Sequence, residues 1–544
     1  MTDSSVNRRH LRGRRKKKNK KKDEATATPA QATSRRAFAL PLALALGLVL
    51  LSLVPRVQGN LTLYRSFVGA ALALLAWQLV LFMRLKRAGA GRSFHTMLRP
   101  QHYAQAMVQA SVFTYWGYYW RPVYEFVPLL VAQLVFAYAF DILLAWSRRE
   151  SYGLGFGPFP ILFSTNLFLW FRDDWFYLQF VMIAVGFLGK EFVRWHRDGR
   201  WTHIFNPSAF SLGMFSLALI ATQASDLTWG QEIATTLSLA PRIYLFLFLV
   251  GLVVMYLFSV TLVAGSAAIT LFGLSVLYWR STGVPYFVDS EIPSAVFLGL
   301  HLLVTDPSTS PRTMLGKGLF GTLYGLGVFG LYSLLGAVGA PTFYDKLLCV
   351  PLLNLSVKWI DGLARALEAG PRLAPWARWS AGAIGNRTYM AIWILFFGVM
   401  TAIGSTDGRH PGDRLPFWQE ACAEGRRNAC DRLIEIESTY CRDNSAWACN
   451  ELGAHYQAGT LVEADAELAW KFFSRACELR HPGACFSLLN PGGASHTNPR
   501  ILDLRLLLRE GGLNLLEMPE RDLLARACEH EWTFACNGGH GNGS

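Results

Sequence analysis

The sequence is short of charge. Asp, Glu, Lys and Arg make up 17% of its 544 residues, against 52% apolar and 13% aromatic side chains. A soluble core of this size does not need so much apolar material, so lipid is the expected solvent for part of the chain. Chemistry-bearing motifs are missing as well. No phosphate loop, nucleophile elbow or zinc-protease helix is present, which removes the commonest nucleotide, acyl-transfer and metalloprotease readings. Cysteine is nearly absent from the apolar part: of nine, only Cys349 precedes residue 422.

The formal charge of +14 resembles a nucleic-acid signal until it is located. Arg8 to Lys22 hold 11 Lys and Arg and no acid, leaving +3 elsewhere. Such a run repels itself. It reads as a disordered basic tail, residues 1–36, that anchors topology at anionic headgroups, in preference to RNA binding.

Apolar runs of about 20 residues cross a bilayer. About thirteen candidates follow one another near 37–54, 66–83, 104–120, 126–146, 157–171, 175–189, 207–222, 242–264, 267–279, 292–305, 318–339, 346–360 and 386–404. Several are short enough to be half-helices or re-entrant, so the range is 10 to 13. The first run reads as an uncleaved anchor, because 36 residues before it are long for a signal peptide. Basic clusters follow even-numbered runs, which keeps the N-terminus cytoplasmic and puts residues beyond 405 on the far side.

From about Pro411 the pattern becomes that of soluble helices. Eight cysteines form four C-x7-C pairs, with Ala before each second member: Cys422 with Cys430, Cys441 with Cys449, Cys477 with Cys485, and Cys528 with Cys536. Cys441 to Cys477 and Cys449 to Cys485 repeat at 36 residues, a period of stacked helix pairs. Residues eight apart on one straight helix lie about 12 Å apart, whereas bridged Cα atoms lie within about 7 Å. Each pair must straddle a helix–turn–helix corner, where Gly483 or Asp443-Asn444 makes the turn. Zinc pairs usually stand two to four residues apart, so disulfides are expected and no metal is. The segment ACNELGAHYQAG…LAWKFFSRACELRHPGAC resembles the Sel-like repeats, relatives of the tetratricopeptide repeat, over 417–536, departing from them after Leu489. The resemblance implies an α-solenoid, residues 411–540, that binds a protein partner without catalysis.

Two membrane segments put proline and hydrogen-bonding residues at the mouths of apolar runs: His203 to Ser208, with Asn206, Pro207 and Ser208, and Thr305 to Arg312, with Thr305, Asp306, Pro307 and Thr309. Helix capping explains such residues, and so does a broken-helix ligand site. With their surroundings, GFGPFPILFSTNLFLWFRDDW, HIFNPSAFSLGMF, LHLLVTDPSTSPRT and KLLCVPLLNLSVKWIDG, they resemble the RnfD/NqrB family. Its members are membrane components of the Rnf electron-transport complex and of the homologous sodium-translocating NADH:quinone reductase. The likeness covers 153–362 inside a membrane domain of 37–405.

That resemblance implies an all-α fold of two inverted repeats, other membrane proteins of the complex as partners, and electron transfer coupled to ion movement in a bacterial inner membrane. It also implies flavin mononucleotide (FMN) esterified to a threonine on the extracytoplasmic side. Thr235 in Glu232-Ile233-Ala234-Thr235 stands at that position, with Glu232 where the family has Ser. An ordinary loop threonine is the competing reading, and the functional alternatives are a flavin-less transporter or channel, or a membrane anchor for the repeats. Among ionisable residues inside apolar runs, Asp141 suggests a helix–helix hydrogen bond or ion relay, and His301 is second. A haem would need a second axial ligand that no spacing supplies. The aromatic clusters at Tyr115–Trp120 and Trp170–Trp175 read as interface belts.

Overall fold

A computed structural model describes residues 37–406, 410–490, 492–493, 495–508 and 513–537. The basic segment 1–36 lies outside the described residues. The chain is mostly helical, as the thirteen apolar runs require. In order it forms α1 (Ala39–Leu51), α2 (Leu61–Ala88), α3 (Pro100–Tyr119), α4 (Val127–Trp146), α5 (Pro158–Asn166), α6 (Tyr177–Phe192) and α7 (Pro207–Ala221). Then come α8 (Gly230–Thr236), α9 (Ile243–Phe258), α10 (Thr261–Thr282), α11 (Ser294–Leu302), α12 (Met314–Ala337), α13 (Asp345–Glu368), α14 (Ala374–Ser380) and α15 (Ala383–Ala402). Two short pairings interrupt them: β1 (Ser93–Thr96) runs parallel to β2 (Ser151–Leu154), and β3 (Arg194–Arg197) antiparallel to β4 (Arg200–His203).

Every expected run contains helix, yet among the described residues only five helices are long and apolar enough to span, and seven if two bent pairs count. The expected 10 to 13 spans, several of them short, thus reduce to five to seven helices of spanning length. Length explains the difference: α5 and α11 have nine residues each, and α1, α6, α7 and α9 have 13 to 16, short of the roughly 20 that a full crossing needs. Residues 223–241, expected as a loop, are largely helical, and α8 with its following turn meets α9 at 101°. The chain is a multi-pass membrane protein.

Contacts divide the chain into two units. The first joins the described residues up to Tyr103 with Pro128–Leu162 and Asp173–Phe180. Its longest helix, α2, starts at Asn60, whose side chain accepts from Leu63 N at 3.0 Å, and stops at Gly89, where φ is +62°. Lys86 and Arg87 in the last turn face the negative end of the helix dipole. Asp141 on α4 accepts from Tyr152 Oη at 2.8 Å, so it ties a helix to β2, not helix to helix.

The second unit comprises Ala104–Val127, Phe163–Arg172 and the chain from Val181 on. Here α10 and α12 approach closely because Gly321 has no side chain: a Cβ there would collide with Val263 O. Trp116 and Trp170, expected in interface belts, are 1% exposed. They pack with Trp120 at ring separations of 5.1 and 5.6 Å, and Phe126 stacks on Trp170 at 4.1 Å.

The tail belongs to this second unit. It consists of α16 (Leu415–Ala423), α17 (Ala429–Arg442), α18 (Ala446–Ala458), α19 (Ala466–Glu478), α20 (Pro482–Leu489), α21 (Ile501–Leu507) and α22 (Glu520–Glu529), with a last turn at Thr533–Cys536. All four expected pairs are disulfides. Cys422 and Cys430 join α16 to α17, Cys441 and Cys449 join α17 to α18, Cys477 and Cys485 join α19 to α20, and Cys528 and Cys536 join α22 to the last turn. Their Cα atoms stand 4.6 to 4.8 Å apart, as a helix–turn–helix corner requires. Cys430 is only half-buried, unlike Cys422 across the bridge, because it opens α17 at the edge of the tail's core. The corner residue is as expected at Asn444 and differs at Gly483. The third residue after each first cysteine, Gly425, Asn444, Arg480 or Glu531, takes a left-handed φ between +65° and +70°. Gly483 lies instead in the first turn of α20.

Candidate functional site

The two proline-broken segments meet. Asn206 caps α7: its Oδ1 accepts from Ser208 N at 3.1 Å, Ser208 Oγ at 2.8 Å and Ala209 N at 3.4 Å, and Pro207 takes the first helical position, where no amide is needed. Its other end reaches across, because Nδ2 donates to Leu303 O at 2.9 Å. On the opposing segment Asp306 caps its own turn, accepting from Ser308 N at 2.9 Å and Thr309 Oγ1 at 3.0 Å, with His203 Nε2 3.9 Å away. Thr305 Oγ1 donates to His301 O at 2.5 Å.

Three residues that sequence reasoning missed hold this junction. Asn354 Oδ1 accepts from Asn206 N at 3.0 Å while its Nδ2 donates to Thr309 O at 3.4 Å, bridging both segments. Asp361, two turns further along α13, accepts from Arg312 N, Thr313 N and Thr313 Oγ1 through Oδ1, at 2.9, 3.2 and 2.9 Å. Its Oδ2 takes Arg197 Nη2 at 2.6 Å, and that same Nη2 donates to Ser310 O at 2.9 Å. Arg197 is 4% exposed and Asp361 1%. A charge pair so buried persists only because further hydrogen bonds accept its remaining valences. The only signal was faint: Asn354 and Asp361 stand seven apart on one face of α13, a helix that also carries Lys346, Lys358 and Arg365. The junction saturates its own polar groups, Arg197 Nε excepted. It locks helices and leaves little to offer a ligand.

Thr235 lies elsewhere in the same unit. It lines a cavity of about 160 Å³ together with Asp289, Lys346, Asp413, Glu435 and Tyr440. Its Oγ1 donates within the helix to Gln231 O at 3.1 Å. Glu232 turns away and pairs with Arg172 at 2.7 Å, whose guanidinium also lies 4.5 Å over the Trp229 ring. Lys346 Nζ donates to Phe343 O at 2.9 Å and to Asp345 Oδ1 at 3.2 Å. With Asp345 the lining presents four carboxylates, and the cations beside them, Lys346 and Arg432, are already paired with Asp345 and Glu435. The phosphate of an esterified FMN would meet repulsion there, so these residues do not fit that group.

His301 is fully buried, its Nδ1 2.7 Å from Phe297 O, and Gly251 makes room for the ring, since a Cβ there would collide with His301 Cδ2. Among the described residues no three His, Cys, Asp or Glu side chains are grouped to hold a metal ion.

The tail closes the cavity's outer wall. Arg432 on α17 donates to Tyr332 Oη at 3.1 Å and Tyr286 O at 3.4 Å, Asn428 Nδ2 donates to Tyr278 Oη at 2.9 Å, and Arg426 Nη1 to Gly283 O at 3.2 Å. Val284 joins the apolar core of the tail. The tail is docked on the ends of α10 and α12, not tethered loosely. No family model, curated protein or solved structure matches the chain.

Proposed function

We propose that this protein is a divergent membrane component of the Rnf/Nqr type that handles a cation and carries no flavin on Thr235. The carrying observation is the cavity at Thr235, which four carboxylates line while the two cations beside it, Lys346 and Arg432, are each held by one of those acids. Such a lining concentrates cations from the adjoining solution and opposes a phosphoryl group. The locked junction of Asn206 with the Thr305–Thr313 segment supports a fold with helices broken near a shared axis, the arrangement used by transporters built from repeats.

Two features support a location: 11 basic residues near the N-terminus favour the cytoplasm for that end, and four disulfides favour an oxidising compartment for the tail. We place the protein in a bacterial inner membrane, with the repeats periplasmic and open to a protein partner.

The redox reading remains as a second one because Thr235 does line a cavity. The experiment that separates them uses purified protein in proteoliposomes. Cation uptake without in-gel flavin fluorescence supports the flavin-less reading. A fluorescent band lost in Thr235→Ala overturns it in favour of covalent FMN and electron transfer. Absence of both uptake and fluorescence overturns both readings and leaves an anchor for the repeats.

A further inference from the structure

A second cleft lies wholly within the tail and owes nothing to the membrane cavity. Its volume is about 510 Å³, and Glu437, Glu451, His455, Thr460, His496 and Thr497 line it. Glu437 sits on α17 and Glu451 and His455 on α18, while His496 and Thr497 come from the segment after Leu489, where the cysteine period breaks. The interruption thus has a place: it returns to cover the groove beside α18.

Most of these groups are engaged. Glu451 Oε1 accepts from Thr497 N at 3.0 Å and Oε2 pairs with His496 Nδ1 at 2.5 Å. His455 Nδ1 meets Thr460 Oγ1 at 3.1 Å, and its ring lies 4.6 Å from that of His496. Glu437 is the exception. It is 1% exposed, its Oε2 has no hydrogen-bond partner, and the nearest positive candidate, His455 Nε2, stands 3.5 Å off. A buried carboxylate oxygen without a partner costs about 1–3 kcal/mol and calls for an explanation.

We propose that this cleft receives a lysine or arginine side chain of a partner polypeptide, with Glu437 and Glu451 as its counter-charges. The chemistry selects that ligand. A metal ion is disfavoured because the four side chains do not form a ligand set, and an anion would face two carboxylates. An ammonium or guanidinium on an alkyl stem suits a groove walled by Leu433, Leu461 and Ala423 and floored by acids. Burial beside Glu451 holds the Glu437 carboxyl well above the usual carboxylate range. The arriving cation ionises it and competes with His496, whose imidazole the bond to Glu451 holds above its usual range, while burial keeps His455 neutral by pushing it down to about 4, so binding releases protons and tightens as pH rises.

The test uses the full chain in detergent and dye-labelled peptides that differ only in one central residue: Lys, Arg, norleucine or Glu. We expect the Lys and Arg peptides to bind at least about tenfold more tightly than the norleucine peptide, and Glu437→Gln to abolish that preference. Glu451→Gln provides a second variant should the first fail to fold, and fluorescence anisotropy from about pH 5 to 8 reads the linked proton. Equal binding of Lys and norleucine peptides, no binding at millimolar concentration, or a preference that survives both variants would overturn the proposal.

Discussion

Arg432, on the second helix of the tail, donates to Tyr332 Oη at the end of membrane helix α12, 3.1 Å away, with its guanidinium 5.3 Å from the centre of that ring. One residue therefore joins a disulfide-stapled helix to a membrane span, and Glu435 balances its charge on the tail side.

Arg432→Ala removes a charge-assisted hydrogen bond and a cation–π contact together. We expect a loss of about 2–3 kcal/mol in the docking of the tail. Hydrogen exchange at 278–290 and 429–442 checks it: protection should fall in both stretches at once. Loss in only one would show that the contact does not couple them.

The Arg197–Asp361 pair makes a sharper prediction. Asp361→Asn strands a buried guanidinium, and the expected cost is about 3–5 kcal/mol, read as a lower melting temperature in detergent. Replacing both partners by Met and Leu should cost clearly less. A double variant as unstable as the single would mean that the backbone amides of Arg312 and Thr313, not the charge, are what Asp361 serves.

At the disulfide corners, three non-glycine residues hold left-handed backbone that glycine takes freely. Arg480 is exposed and is the cleanest test. Arg480→Gly should raise stability by about 0.5–1 kcal/mol and Arg480→Val lower it, by thermal melting. The reverse order would remove the corner geometry as the reason.

Through its buried histidines, acid should loosen the tail. Burial, with His496 next to it, pushes His455 from 6.5 to about 4, and burial also lowers His481. The folded state then binds fewer protons than the unfolded between those values, so stability falls as pH drops from 6.5 towards 4. Glu437 has the opposite sign: its raised carboxyl contributes stability that is lost as pH rises through the folded value. His455→Gln should flatten the acid limb of a melting-temperature profile and Glu437→Gln the alkaline limb. A profile unchanged in both variants would place the titration elsewhere.

What could be read from the chain follows how local each feature is. The corner disulfides, Cys422 with Cys430 the first of them, were legible because eight residues of spacing admit one geometry. Asn206 and Asp306 declared themselves as caps because capping acts within three residues. Arg197, Asn354 and Asp361 were not legible, since their partners lie 45 to 164 residues away. The span count was overstated for a related reason: an apolar run shows that a segment is buried, whereas its length in the bilayer depends on where the backbone bends, as at Ser259, where φ is +53°.

The sequence by itself determined that this is a helical, multi-pass chain with a cysteine-stapled tail, because hydrophobic runs and short covalent loops act locally. Only the tertiary structure decided that the tail seals a cavity holding Thr235, and that four carboxylates share it. Those groups converge from Asp289, Asp345, Asp413 and Glu435, whose separations along the chain carry no trace of their meeting, since the charge a cavity presents is a property of packing.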